Sequence, residues 1–128
     1  MSGPREYSAE VRRLFGRPAH AGPLPAGTGA TLAAESLALD RRAWVRFEVR
    51  IESGTVAATA FQAWGCPHFL AACELAAGWL EGRPLESAAH CRSGWLAGEL
   101  QAPADRLGRL LVIEDALREL AARRPEPK

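Results

Sequence analysis

The chain reads as an α+β fold, a small three-stranded antiparallel sheet packed against four to five helices, and three stretches carry that expectation. Val45, Phe47, Val49 and Ile51 alternate with Arg46, Glu48, Arg50 and Glu52, the period of a half-buried strand. Thr55 to Trp64 returns as a second strand after Ser53-Gly54, a pair suited to a two-residue hairpin turn. From Pro67 to Glu81 the chain is nearly all apolar, with Glu74, Gly78 and Glu81 on one narrow stripe. That pattern belongs to a mostly buried helix.

Each remaining element follows from local pattern. Tyr7, Val11, Leu14 and Phe15 recur at helical spacing over residues 7 to 16, and Gly16 and Pro18 stop the run. Pro18 to Gly29, rich in Pro, Gly and Ala, reads as an ordered loop. Ala30 to Asp40 is a weaker strand that completes the sheet. A two-residue turn sets Val56, Ala58 and Ala60 opposite Ile51, Val49 and Phe47, which would leave Phe61 on the polar face. A bulge near Ala60 is the expected correction. Gly82 and Pro84 end the buried helix. Leu85 to Leu100 reads as one or two short helices broken near Ser93-Gly94, and Gln101 to Asp105 as a loop. Leu107, Leu110, Leu111, Ile113, Leu117 and Leu120 make a last amphipathic helix.

With 128 residues and 48% apolar content, one domain over 1–128 can close a core without disulfides or structural metal. Residues 1–5 and 123–128 are expected to be flexible. Sixteen basic residues face fifteen acidic ones with no dense basic run, which argues against nucleic acid as a partner. Arg5, Glu6 and Glu10 stand where a signal peptide would carry apolar residues, and eighteen apolar residues never occur in a row. A cytoplasmic protein without membrane contact is expected. Cys66, Cys73 and Cys91 match neither a disulfide framework nor a paired C-x-x-C zinc site, so reduced thiols fit best.

The most informative spot is Gly65-Cys66-Pro67-His68. Pro67 suits the first helical position, which puts Cys66 at the cap, where unpaired amides and the helix dipole stabilise a thiolate. Two readings stand: a small buried hydrophobe, or a reactive thiolate. Cys73 lies two turns on, about 10 Å away along the helix, too far to share one metal ion with Cys66, and its stripe is that of the core. His68 points away from Cys66 around the axis. His90 and Cys91 are neighbours that do not face the same way, and His20 sits in the loop with no local pattern to assign it. Nothing local supplies a base for a nucleophile, and no phosphate-binding glycine motif is present, so no enzyme is read here.

Several segments, in order, are familiar: Tyr7-Ser8 with Val11, Pro18-x-His20-Ala21-Gly22, Val45 to Gly54, Phe61 to Cys66, Trp79 to Leu85 and Glu114-Asp115-Ala116-Leu117. Together they resemble the U-type iron–sulfur cluster scaffold family (IscU and the N-terminal domain of NifU), over about residues 6 to 122. The resemblance implies a small antiparallel sheet packed on helices. It also implies a non-enzymatic role in which iron and sulfur from a cysteine desulfurase are assembled into a cluster and passed on.

That family's site uses three cysteines, an aspartate and a histidine, and of the thiols only Cys66 remains. The first family cysteine belongs to an Ala-Cys-Gly-Asp loop, which falls here on Ala33-Ala34-Glu35-Ser36 or, without a gap, on Leu39-Asp40-Arg41-Arg42. The family histidine and third cysteine fall on Gly108 and Arg109. The chaperone-recognition loop is reduced to Ala102-Pro103-Ala104-Asp105-Arg106, which argues against the dedicated chaperone as a partner. A two-iron centre takes four protein ligands, mainly thiolates. To hold iron or a cluster, Cys66 would need Glu35, Asp40, His68 or the Cys66 of a second chain in a homodimer. Arg109 favours a bare thiolate and repels iron. Three roles follow as expectations: cluster assembly in the broad sense through Cys66, acceptance of a persulfide from the desulfurase, or a binding module that kept only the fold.

Overall fold

In the computed structural model, residues 7–16, 18–25 and 27–123 are described. The expectation of flexible ends falls outside them, apart from Arg123, which donates to Glu119 at 2.9 Å. The order is α1 (Ala9–Gly16), β1 (Ala30–Ala38), β2 (Ala43–Glu52), β3 (Thr55–Trp64), α2 (Pro67–Leu80), α3 (Ser93–Leu100) and α4 (Leu107–Ala122). Short 3-10 turns join β1 to β2 at Leu39–Arg41 and precede α3 and α4 at Leu85–His90 and Ala104–Arg106.

The sheet is an antiparallel meander in the order β1-β2-β3, as the strand pattern predicts. Ser53 and Gly54 both take positive φ, 54° and 77°, the hairpin turn whose twist matches that of the flanking strands. The bulge lies nearer this turn than expected. Ile51 pairs with Val56 and Arg50 with Ala58, so Ala57 is the extra residue, and the bulge is not near Ala60. From there Thr59 faces Val49 and Phe61 faces Phe47, with their rings 6.2 Å apart in the core. Ala58 and Ala60 consequently lie in the rows of Arg50 and Glu48.

The helices cover the sheet face formed by Ala34, Val45, Phe47, Val49, Ile51 and Phe61. Phe69, Leu80, Leu110, Ile113 and Leu117 are fully buried among them, each contributing about 1.5–3 kcal/mol of hydrophobic stabilisation. Two differences from expectation concern α3 and β1. The break falls at Cys91-Arg92, and Ser93-Gly94 open the helix instead of interrupting it. The reason is a cap from outside: Glu114 of α4 accepts the Ser93 N–H at 2.8 Å and pairs with Arg118 at 2.8 Å. Burial pushes the Glu114 carboxyl up, but these bonds and the nearby arginines outweigh it and hold it below its ordinary value. β1 also ends two residues early, at Ala38, because Leu39–Arg41 turn and Arg42 takes a left-handed φ of 55°.

Candidate functional site

Antiparallel pairing gathers the chemistry at one end of the sheet. Ala38 pairs with Ala43, and Trp44 pairs with Trp64, so the β1–β2 turn and the β3–α2 junction sit at the same end. Cys66 is the N-cap of α2, extended at φ −75° and ψ 166°, with Pro67 opening the helix. Its Sγ makes no capping bond; its carbonyl accepts the Leu70 N–H at 3.0 Å. Gly65 fits here because a Cβ would stand 2.7 Å from Cδ2 of the buried Phe69. A close approach of backbone to that ring sets where Cys66 emerges.

Cys66 is half-buried, whereas Cys73 and Cys91 are buried. Burial, with Glu74 and Cys66 nearby, raises the Cys73 thiol far above its ordinary value, and burial together with Glu114 pushes Cys91 up to about 12. Neither is a thiolate near neutral pH.

The accessory residues named from sequence differ in exposure and in the element that carries them. His68 is buried, its ring tilted against Tyr7 at 4.8 Å. Glu35 lies exposed on β1, paired in register with Arg46, three pairs in from the Ala38–Ala43 end of the sheet. Asp40 stands exposed in the Leu39–Arg41 turn, at the end that carries Cys66. Among the described residues, no three His, Cys, Asp or Glu side chains come together as a metal site. Of the two alignments for the missing loop cysteine, Leu39-Asp40-Arg41-Arg42 lies at this end, while Ala34 packs in the core opposite Phe47.

Gly108 and Arg109, where the resemblance sets the family's histidine and third cysteine, both meet Arg41. The Arg41 guanidinium lies over Gly108, in the space a side chain there would need, and Arg109 Nε donates to the Arg41 carbonyl at 3.1 Å.

A second cluster was not legible locally. His20 donates from its backbone to Glu74 Oε1 at 2.7 Å, its Nδ1 contacts Glu74 Oε2, and its Nε2 lies 3.1 Å from Glu81 Oε1. Glu81 Oε2 accepts the Thr59 N–H at 2.8 Å, and the His20 carbonyl accepts the Phe61 N–H at 2.9 Å. The polar stripe of α2 is therefore the seat of His20, whose ring lies beside Gly78, 3.6 Å from where a Cβ there would stand. Burial opposes the imidazolium, but its bonds to Glu74 and Glu81 and the charge of both carboxylates outweigh this, so His20 titrates above its ordinary value.

A three-stranded antiparallel meander packed under four helices, with an accessible thiol at the strand–helix junction, defines the α+β class to which the chain belongs. The chain matches the NifU-like N-terminal domain over residues 6–123 and belongs to that family. It is 29% identical over 75 residues to the iron-sulfur cluster assembly scaffold protein IscU of Azotobacter vinelandii, covering 58% of this chain. The match spans 59% of that protein's length. Two solved structures share the fold. A NifU-like N-terminal protein from Brucella abortus superposes with a TM-score of 0.67 at 15% identity, over 90% of this chain and 91% of that one. A structure described as a SUF-system scaffold from Fervidobacterium islandicum AW-1 gives 0.68 at 12% identity, over 91% and 97%. No helix among the described residues is long and apolar enough to cross a membrane.

Proposed function

We propose that this chain serves iron–sulfur cluster assembly by carrying sulfur on Cys66, received from a cysteine desulfurase, instead of holding a cluster within one chain. The observation that supports this reading most is the contrast among its thiols and their surroundings. Cys66 alone among the three cysteines is accessible, while the Arg41 guanidinium lies over Gly108 and Arg109 bonds to the Arg41 carbonyl, at the positions where the resemblance sets the family's other ligands.

The chemistry is thiol–persulfide exchange. The Cys66 thiolate attacks the terminal sulfur of a donor persulfide; a bond forms between Cys66 Sγ and that sulfur while the donor's S–S bond breaks. The electron pair leaves on the donor thiolate, which takes up a proton, so the transfer needs no external oxidant or reductant. Guanidinium groups at this end of the sheet favour the anionic persulfide electrostatically.

Incubation with a desulfurase and cysteine, followed by intact and peptide mass spectrometry, tests the reading. Gain of one sulfur atom on the Cys66 peptide, absent in Cys66→Ser, is the expected result. An unmodified peptide overturns it. A module that kept only the fold would retain its cellular role in Cys66→Ala; loss of that role excludes this competitor.

A further inference from the structure

The outer face of the sheet ends in an apolar row that crosses all three strands. Leu37 pairs with Trp44 and Trp44 with Trp64, and the two indoles stack at 6.5 Å. No helix covers them: Leu37 is 52% exposed and Trp64 46%, and Leu39 beyond them is 72% exposed. Large apolar groups lined up in this way at a surface are the mark of an interface. Around the same end stand Arg41, Arg42, Arg106 and Arg109 against Asp40 and Asp105, and Arg106 pairs with Asp105 at 3.2 Å. Among the described residues Arg41, Arg42 and Arg109 have no ion pair. The whole chain carries a net charge of only +1, so this concentration of cations is local. Trp and Arg are also the residue types that dominate binding energy at protein interfaces.

We infer that the Leu37–Trp44–Trp64 row, with Leu39 and the flanking arginines, is a docking face for one occupant: a protein surface with an apolar centre and an acidic rim, carried by the sulfur donor. This rests on the sulfur-carrier reading above. Trp64 lies two residues before Cys66, so an occupant seated on the row has its rim beside the thiol. The apolar row supplies the affinity, and the arginines supply orientation and salt-sensitive encounter.

The experiment compares two sulfur sources on the full chain: the cysteine desulfurase encoded in the same genome, with cysteine, and inorganic polysulfide. Wild type is set beside Trp64→Ala, Leu37→Glu and Arg42→Glu, all changed at exposed or half-exposed positions, with circular dichroism to verify folding. The expected result is a loss of about tenfold or more in the rate of loading from the desulfurase in all three, with loading from polysulfide unchanged in Trp64→Ala and Leu37→Glu. Rising salt should slow the wild type and affect Arg42→Glu less. Variants that load from the desulfurase like the wild type overturn the docking face. So does a wild type that loads from polysulfide and not from the desulfurase. A wild type that takes sulfur from neither source overturns the carrier reading itself.

Discussion

Arg41 and Gly108 are complementary: the guanidinium of one fills the space that a side chain on the other would occupy. In the ungapped alignment of the loop motif, Arg41 stands at the family's glycine and Gly108 at the family's histidine. In that alignment the loop carries the large residue and the helix the small one, which bears on any attempt to build a metal site there.

Replacing Gly108 and Arg109 by the family's histidine and cysteine should not by itself create a metal site. The new imidazole would meet Arg41, whose charge also opposes a bound cation. Asp40→Cys, Arg41→Gly and Arg42→Asp added to that pair should allow about one zinc or ferrous ion per chain, read by metal analysis after anaerobic loading. Equal binding by Gly108→His/Arg109→Cys alone would show that Arg41 is no obstacle.

Thiol reactivity should divide cleanly. Iodoacetamide at neutral pH is expected to label Cys66 alone in the folded protein, since burial keeps Cys73 and Cys91 protonated and covered. Three adducts should appear in denaturant. Rapid native labelling of Cys91 would contradict its packing beneath α4.

Gly65→Ala tests how the thiol is placed. Its Cβ would come within 2.7 Å of the fully buried Phe69 ring, which has no room to retreat. A loss of about 1–3 kcal/mol in unfolding free energy is expected by denaturant titration. Native Cys66 alkylation should also change rate, because the junction must shift to relieve the contact. Wild-type stability with wild-type labelling would mean that the ring is not a fixed wall.

How much of this was legible depends on distance along the chain. The alternation of β2 and the apolar run of α2 are local, and both elements form where the pattern puts them. The hairpin register was legible only to its turn, because the extra residue at Ala57 answers to the need to bring Phe61 to Phe47. Arg41 and Arg109 are 68 residues apart, and His20 is 54 and 61 residues from its carboxylates, so no window contains those contacts. One signal was there to use: Glu74 and Glu81 flanking Gly78 on a buried helix left a gap with two acids around it. A buried carboxylate needs a partner, and a histidine elsewhere in the chain can provide one.

That histidine should make stability fall as pH rises above the ordinary imidazole value. With both ring nitrogens facing carboxylates, His20 can serve Glu74 and Glu81 together only as imidazolium. Its folded value lies above the ordinary 6.5, so the folded state holds the proton more tightly than the unfolded chain. The stabilisation is therefore complete below about 6.5 and is lost as pH rises through the raised folded value. His20→Gln removes the titration and leaves the buried Glu74 with a weaker partner, at a cost on the order of 2 kcal/mol in the acidic range. Melting temperatures of both proteins across mildly acidic to alkaline pH should converge on the alkaline side. A constant gap would mean that His20 stays charged throughout or was neutral from the start.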